Sequence, residues 1–253
     1  MARIKHSFAW WAFAGKSEDK IQLLKRAKQM GYHGVEMIPE ELWSAVKDSG
    51  LQIATMGGHK SLTDGLNKLS NHNRIEDELK ANIAKAKANQ IHALIVFSGN
   101  RHVIPDAECI AICADGLERV RKEAEAAGVT LVLELLNSKV DHPGYQCDRT
   151  WWGVEVMRRI NSPRIKLLYD IYHMQIMEGD LIRNIRDHIG WIGHFHTAGN
   201  PGRNEIDETQ EIHYPAVARA ISGTEYDGYI GQEFMPKGDL FKSLEQALKL
   251  CSV

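Results

Sequence analysis

The sequence predicts a single (β/α)8 TIM barrel, and three observations lead there. Short apolar runs alternate with longer amphipathic segments through eight cycles. The chain has 253 residues, against about 250 for a typical barrel of this kind. A doubly wound open sheet often carries a Gly-rich phosphate turn after its first strand, whereas this chain reads Ala9-Trp10-Trp11-Ala12-Phe13 there. The turn after the fourth run, Phe97-Ser98-Gly99-Asn100, has only the lone Gly99. Strict β–α alternation also calls for parallel strands, because parallel neighbours need a crossover between them.

Taken in order, the first strand is expected at 4–10, followed by a helix at 18–30 that Gly31 closes. Strands at 34–38 and 52–57 flank a helix at 39–47. A helix at 73–89 leads to the strand at 93–98, and a long helix at 107–127, ending before Gly128, leads to the strand at 129–136. The last three strands fall at 165–170, 191–196 and 228–234, with helices at 151–160, 179–188, 214–221 and 240–250. No linker or low-complexity tract interrupts this pattern, so residues 1–253 read as one domain. The longest irregular stretches, 59–71, 137–150 and 198–213, all follow strands, on the face where barrels place their chemistry, and they suggest a substrate lid.

Composition narrows the function classes. With 43% hydrophobic and 25% charged residues the chain is an ordinary globular one, and a net charge of −2 provides no electrostatic footprint for nucleic acid or an anionic membrane. The segment from Met1 to His6 has no apolar core of a signal peptide, and no stretch approaches the ~20 apolar residues of a membrane span. A cytoplasmic location is expected. Cys109, Cys113, Cys147 and Cys251 lack the paired spacing of a structural zinc site and read as small buried hydrophobes.

The chemistry sits at the ends of the last four strands. Glu134 interrupts Leu131-Val132-Leu133-Glu134-Leu135-Leu136, Asp170 ends 165–170, His196 ends 191–196, and Glu233 lies in Tyr229-Ile230-Gly231-Gln232-Glu233-Phe234. An ionised carboxylate in an apolar strand is costly unless paired or bound to a cation. Three carboxylates and an imidazole at one level of a barrel need a cation between them. Oxygen-rich ligation with one imidazole suits Mn2+, Mg2+ or Co2+ better than a closed zinc site.

Glu134-Leu135-Leu136-Asn137-Ser138, Tyr169-Asp170-Ile171-Tyr172-His173-Met174-Gln175, Gly193-His194-Phe195-His196, Asn200-Pro201-Gly202-Arg203 and Gly231-Gln232-Glu233-Phe234 together resemble the xylose isomerase-like TIM-barrel superfamily. Within it they are most similar to the sugar epimerase and hydroxypyruvate isomerase branch. The resemblance covers the C-terminal half of the barrel. It implies that Glu134, Asp170, His196 and Glu233 ligate the metal, and that Glu134 and Glu233 also shuttle the proton beside a substrate carbonyl through an enediolate. The implied substrate is a small hydroxy-carbonyl acid or a sugar, and a homo-oligomer is compatible with it. Bacterial hydroxypyruvate isomerases tend to carry Gln where this chain has His196, and sugar 3-epimerases carry His. The frame therefore points to one substrate and the ligand to another. A metal-dependent dehydratase or endonuclease, and a non-catalytic binding barrel, are weaker alternatives. A nuclease would need more ligands and a basic groove, and a pure binder would not need both Glu134 and Glu233.

Further residues are expected around this centre. His173, three residues after Asp170 at the start of a loop, is placed to touch substrate. Arg203, in a loop with Gly and Pro, suits a substrate carboxylate. His59, after Gly57-Gly58, is a third substrate-binding candidate. His194 shares a strand face with His196 and reads as a packed neighbour. Glu205 reads as exposed or paired with a nearby base. Trp10, Trp11 and Phe13 form either a pocket wall or core.

Overall fold

In the computed structural model, which describes residues 4–252, the apolar runs become eight strands. They are β1 (Lys5–Ala9), β2 (Gly34–Glu36), β3 (Gln52–Gly57), β4 (Ala93–Val96), β5 (Thr130–Glu134), β6 (Ile165–Asp170), β7 (Ile192–Thr197) and β8 (Tyr229–Gln232). Their order is β1 through β8 in a closed barrel, as the alternation predicts. The first three residues of the N-terminal segment read above lie outside the described residues. Among the described residues no helix is long and apolar enough to cross a membrane.

The chain groups into two compact units, one comprising residues up to 55 with 180–189 and those from 195 onward, the other 56–179 with 190–194. In the first unit β1 pairs in parallel with both β2 and β8, with Ser7 opposite Gly34 on one side and Gly231 on the other. An aromatic cluster fills its interior. Phe8 meets Phe13 and Tyr32 edge-on at 5.9 and 5.6 Å, and Phe13 meets Phe234 at 5.0 Å. Helix α1 (Trp10–Phe13) follows β1 without a loop. The next helix, α2 (Lys20–Met30), starts on Asp19, whose carboxylate accepts the Ile21 and Gln22 N–H groups. It ends at Gly31 with φ of 111°, a left-handed position that costs glycine nothing. A 3-10 turn, Glu40–Leu42, precedes α3 (Trp43–Asp48), so the helix expected at 39–47 is split.

In the second unit β4, β5 and β6 pair in parallel, and every residue of β4 and β5 is buried, as parallel strands covered on both faces require. They are preceded by α4 (His72–Asn89). The single helix expected at 107–127 is two, α5 (Asp106–Glu118) and α6 (Arg121–Ala127). The break falls at Val120, which leaves helical geometry at φ −115°, ψ 5° and is fully buried; core packing overrides the uninterrupted helical pattern. After α7 (Thr150–Ile160) and β6 comes a helix the periodicity does not announce, α8 (Ile171–Met177). It begins directly on Asp170, whose Oδ1 accepts the His173 N–H at 3.0 Å. His173 therefore stands on a helical first turn and not, as expected, in a loop. The remaining helices are α9 (Leu181–His188), α10 (Tyr214–Ser222) and α11 (Leu240–Cys251), all in the first unit. All four cysteines are buried thiols, and burial pushes the Cys251 thiol up to about 12, so it behaves as an inert hydrophobe.

Close packing fixes several glycines. A Cβ on Gly58 would lie 2.9 Å from the Ile95 carbonyl oxygen and 2.8 Å from Val96 Cγ1, and the backbone oxygen cannot move aside. Gly58→Ala is expected to lower stability by about 1–3 kcal/mol through overpacking, read as a reduced urea midpoint with an unchanged denaturant slope.

Candidate active site

The first unit contributes an imidazole held between carboxylates. β2 ends on Glu36, fully buried, whose Oε1 accepts from Ser7 Oγ of β1 at 2.5 Å and whose Oε2 accepts from Thr55 Oγ1 of β3 at 2.8 Å. The same Oε2 lies 3.0 Å from His196 Nε2 on β7. A carboxylate can only accept at neutral pH, so Nε2 carries a proton and donates. The other nitrogen, Nδ1, faces Glu233 Oε2 at 3.4 Å. This is the arrangement by which an outer carboxylate orients a metal-binding histidine and leaves its second nitrogen for the cation. The approach depends on Gly231: a Cβ there would collide with Glu36 Oε1 and lie 3.0 Å from His196 Cδ2. Sequence reasoning overlooked Glu36, although its signal, an acid inside the apolar run Gly34-Val35-Glu36-Met37-Ile38, is the one that singles out Glu134.

The second unit contributes Glu134 and Asp170, the last residues of β5 and β6, both buried. The Glu134 carbonyl accepts from the buried Tyr145 hydroxyl at 2.9 Å, which pins the strand end. Asp170 holds the first turn of α8 through Oδ1, while its Oδ2 lies 3.7 Å from His173 Nε2. His173 is fully buried, and its Nδ1 meets the Asn137 amide at 2.6 Å.

Glu134, Asp170, His196 and Glu233, all buried, each offer a ligand atom within 4.8 Å of the others. Three carboxylates and one imidazole nitrogen at that spacing fit a hard or borderline divalent cation, whose charge offsets the mutual repulsion of the acids. His194 is also fully buried and stands outside the four-residue group.

The loop candidates fare differently. Arg203, in the left-handed region at φ 57°, sets its Nη2 on Glu233 Oε2 at 2.5 Å and its guanidinium 5.4 Å over the Trp11 ring. The Arg203 loop is zipped to the segment after β8: Met235 N–H donates to the Arg203 carbonyl at 2.7 Å. Glu205 Oε1 accepts from the Lys237 and Gly238 N–H groups and from Ser243 Oγ, so it is a loop fastener and not a partner of a base. Trp10 and Phe13 are core, and only Trp11, 46% exposed, faces outward beneath Arg203. His59 requires a correction. Its Nε2 accepts the Phe97 N–H at 3.0 Å and its Nδ1 donates to the Lys60 carbonyl at 2.9 Å. Both nitrogens hold backbone, which leaves neither for a substrate.

The sequence pattern of the xylose isomerase-like TIM barrel family matches residues 24–251, and the chain belongs to that family. Curated proteins that it matches have isomerase names, and isomerase is its enzyme class. A human protein provisionally named hydroxypyruvate isomerase is 26% identical over 87% of this chain and 86% of its own length. A 2-oxo-tetronate isomerase of Cupriavidus necator is 35% identical over 52% of this chain and 50% of its own. Among solved structures, one named as an AP endonuclease of family 2 from Brucella melitensis superimposes with a TM-score of 0.83 at 24% identity, covering 96% of this chain and 97% of that one. Ketose 3-epimerases share the fold as well.

Two outcomes are expected. Gly231→Ala, by wedging Glu36 away from His196, lowers Mn2+ affinity by about 10–100-fold in a titration followed by electron paramagnetic resonance, with the barrel still folded. Burial holds the His59 pKa below its ordinary 6.5 despite the hydrogen bond to the Lys60 carbonyl and the charge of Glu78, which favour its charged form. The unfolded chain then binds the proton first, so stability falls as pH drops below 6.5 toward the lowered value. His59→Gln removes that share of the slope in urea unfolding measured across this range.

Proposed function

We propose that the chain, acting as one barrel domain, is a divalent-metal-dependent isomerase of small hydroxy-carbonyl acids, of the hydroxypyruvate or 2-oxo-tetronate kind. The observation that carries the reading is the buried group of Glu134, Asp170, His196 and Glu233, with His196 oriented by Glu36. These four residues would hold Mn2+, Mg2+ or Co2+, which would supply Lewis acidity at the reacting centre.

The remaining chemistry belongs to the side chains. Removing a proton beside a carbonyl leaves an enediolate, and returning it to the neighbouring carbon completes a 1,2-isomerisation. Glu134 and Glu233 serve as the base and acid of that transfer, Glu134 ending β5 and Glu233 following β8. Arg203 fixes Glu233 by a charge-assisted hydrogen bond. A guanidinium has five N–H donors, so Arg203 also serves a substrate carboxylate. His173 is the second substrate contact. The low net charge and the absence of a basic patch in the sequence favour a small-molecule substrate over nucleic acid, and four buried thiols suit the cytoplasm. A ketose 3-epimerase is the second reading, favoured by His196 and requiring room for a longer polyol.

The test is proton exchange in D2O, followed by NMR, with Mn2+ or Mg2+ and a panel of hydroxypyruvate, a 2-oxo-tetronate, fructose and tagatose. Deuterium is expected beside the carbonyl of a short acid. Exchange at carbon 3 of a ketose would establish the epimerase reading instead. Glu134→Gln and Glu233→Gln are each expected to cut exchange by about 10²–10⁴-fold, and chelation to abolish it. Wild-type protein that exchanges no panel member, and matches both variants, overturns the proposal.

A further inference from the structure

We propose that Asn137 is a positioning residue that holds His173 as a neutral imidazole with its proton on Nε2, so that the ring donates a hydrogen bond to a substrate oxygen. The substrate contact rests on the isomerase reading above, whereas the proton's place on the ring does not.

The Asn137 amide can face only one way. Its Oδ1 accepts the N–H groups of Val140 and Asp141 at 3.0 and 2.9 Å. Two backbone donors cannot face an NH2 group, so the oxygen end of the amide is fixed without appeal to the histidine. Nδ2 then lies 2.6 Å from Asp141 Oδ2 and 2.6 Å from His173 Nδ1. An amide nitrogen has two hydrogens and no lone pair to offer. One hydrogen goes to the Asp141 carboxylate and the other to His173, which makes Nδ1 an acceptor. An imidazole whose Nδ1 accepts carries its proton on Nε2.

The groups around the ring agree with this. Asp141 Oδ2 lies 3.9 Å from Nδ1, and it already takes the Tyr172 hydroxyl at 2.9 Å in addition to the Asn137 hydrogen. Its charge is directed to those donors and away from His173. The Tyr172 and His142 rings stand against His173 at 5.1 and 5.3 Å and fix its plane. The backbone of His173 is tied to Asp170 Oδ1, which leaves Nε2 on the Asp170 side, 3.7 Å from Oδ2.

An oxygen brought beside Asp170 therefore meets an N–H and not a lone pair. The position selects a substrate acceptor, a carbonyl or hydroxyl oxygen on the carbons that exchange the proton. A neutral imidazole can polarise a carbonyl in this way while keeping its own proton. His196 carries its proton on the same nitrogen but is turned end for end, with Nε2 donating to Glu36 and Nδ1 facing Glu233.

The decisive experiment is NMR of protein labelled with 15N-histidine, without metal and with Mg2+, the ring signals of residue 173 assigned by loss in His173→Gln. Wild type is expected to show Nδ1 unprotonated and Nε2 protonated. Asn137→Asp keeps an oxygen for the Val140 and Asp141 N–H groups and turns a carboxylate oxygen on Nδ1, so the proton is expected to move to Nδ1. The same variant should lose about tenfold in kcat/KM on whichever panel substrate is turned over, the loss of one donor. Its Mn2+ affinity should change by less than about tenfold, the lower bound for losing a group that orients a metal ligand. A proton on Nδ1, or on both nitrogens, in wild type overturns the assignment, and so does a shifted proton in the variant without kinetic consequence. If the variant does not fold, the wild-type spectrum decides alone. Because the spectrum needs no substrate, inactivity on the whole panel would reject the isomerase reading and leave the tautomer result standing.

Discussion

A negative charge inside an apolar barrel must be answered by donors or by a cation, and the centre of this molecule is organised by that requirement. Glu36 is the clearest case. It is fully buried on β2, and it survives there because β1, β3 and β7 each bring a donor to it: Ser7, Thr55 and His196. The last of these contacts orients a ring whose far nitrogen faces Glu233. Glu233 in turn draws Arg203 across a left-handed backbone position. Asp170 meets part of the requirement by capping α8, which sets His173 beside it. The geometry of the site follows from settling buried charges one after another.

The fold was legible because burial writes itself into periodicity. β4 and the centre of β5 are apolar and wholly buried because both faces are covered, and the same pattern predicted a parallel barrel. The misses have a common cause in tertiary contacts. Val120 breaks a helix that its neighbours would continue, because its side chain belongs in the core. α8 escapes notice because Asp170 ends a strand and caps a helix at once, leaving no punctuation between them.

The site was legible in part for the same reason. Glu134, Asp170, His196 and Glu233 stand out as polar groups at the ends of apolar runs. Glu36 sends an equal signal in a shorter strand, and it was passed over because it lies outside the last four strands. At His59 the pattern misleads, because a glycine-rich strand end looks open. Whether an imidazole there faces a cavity or its own backbone depends on Lys60 and Phe97, whose positions no local pattern encodes.

The junction at Asp170 separates what can drift from what cannot. His173 and the Asp170 carboxylate ride on a strand and a helix that share a residue, so no hinge lies between them and neither must be ordered when a ligand arrives. Arg203 sits instead on a long loop fastened at a few points by Glu205 and Met235. Mutation can lengthen, shorten or redirect that loop with little effect on the junction. On the isomerase reading, a lineage built on this plan keeps the Asp170–His173 pair as a fixed part and varies the Arg203 loop separately.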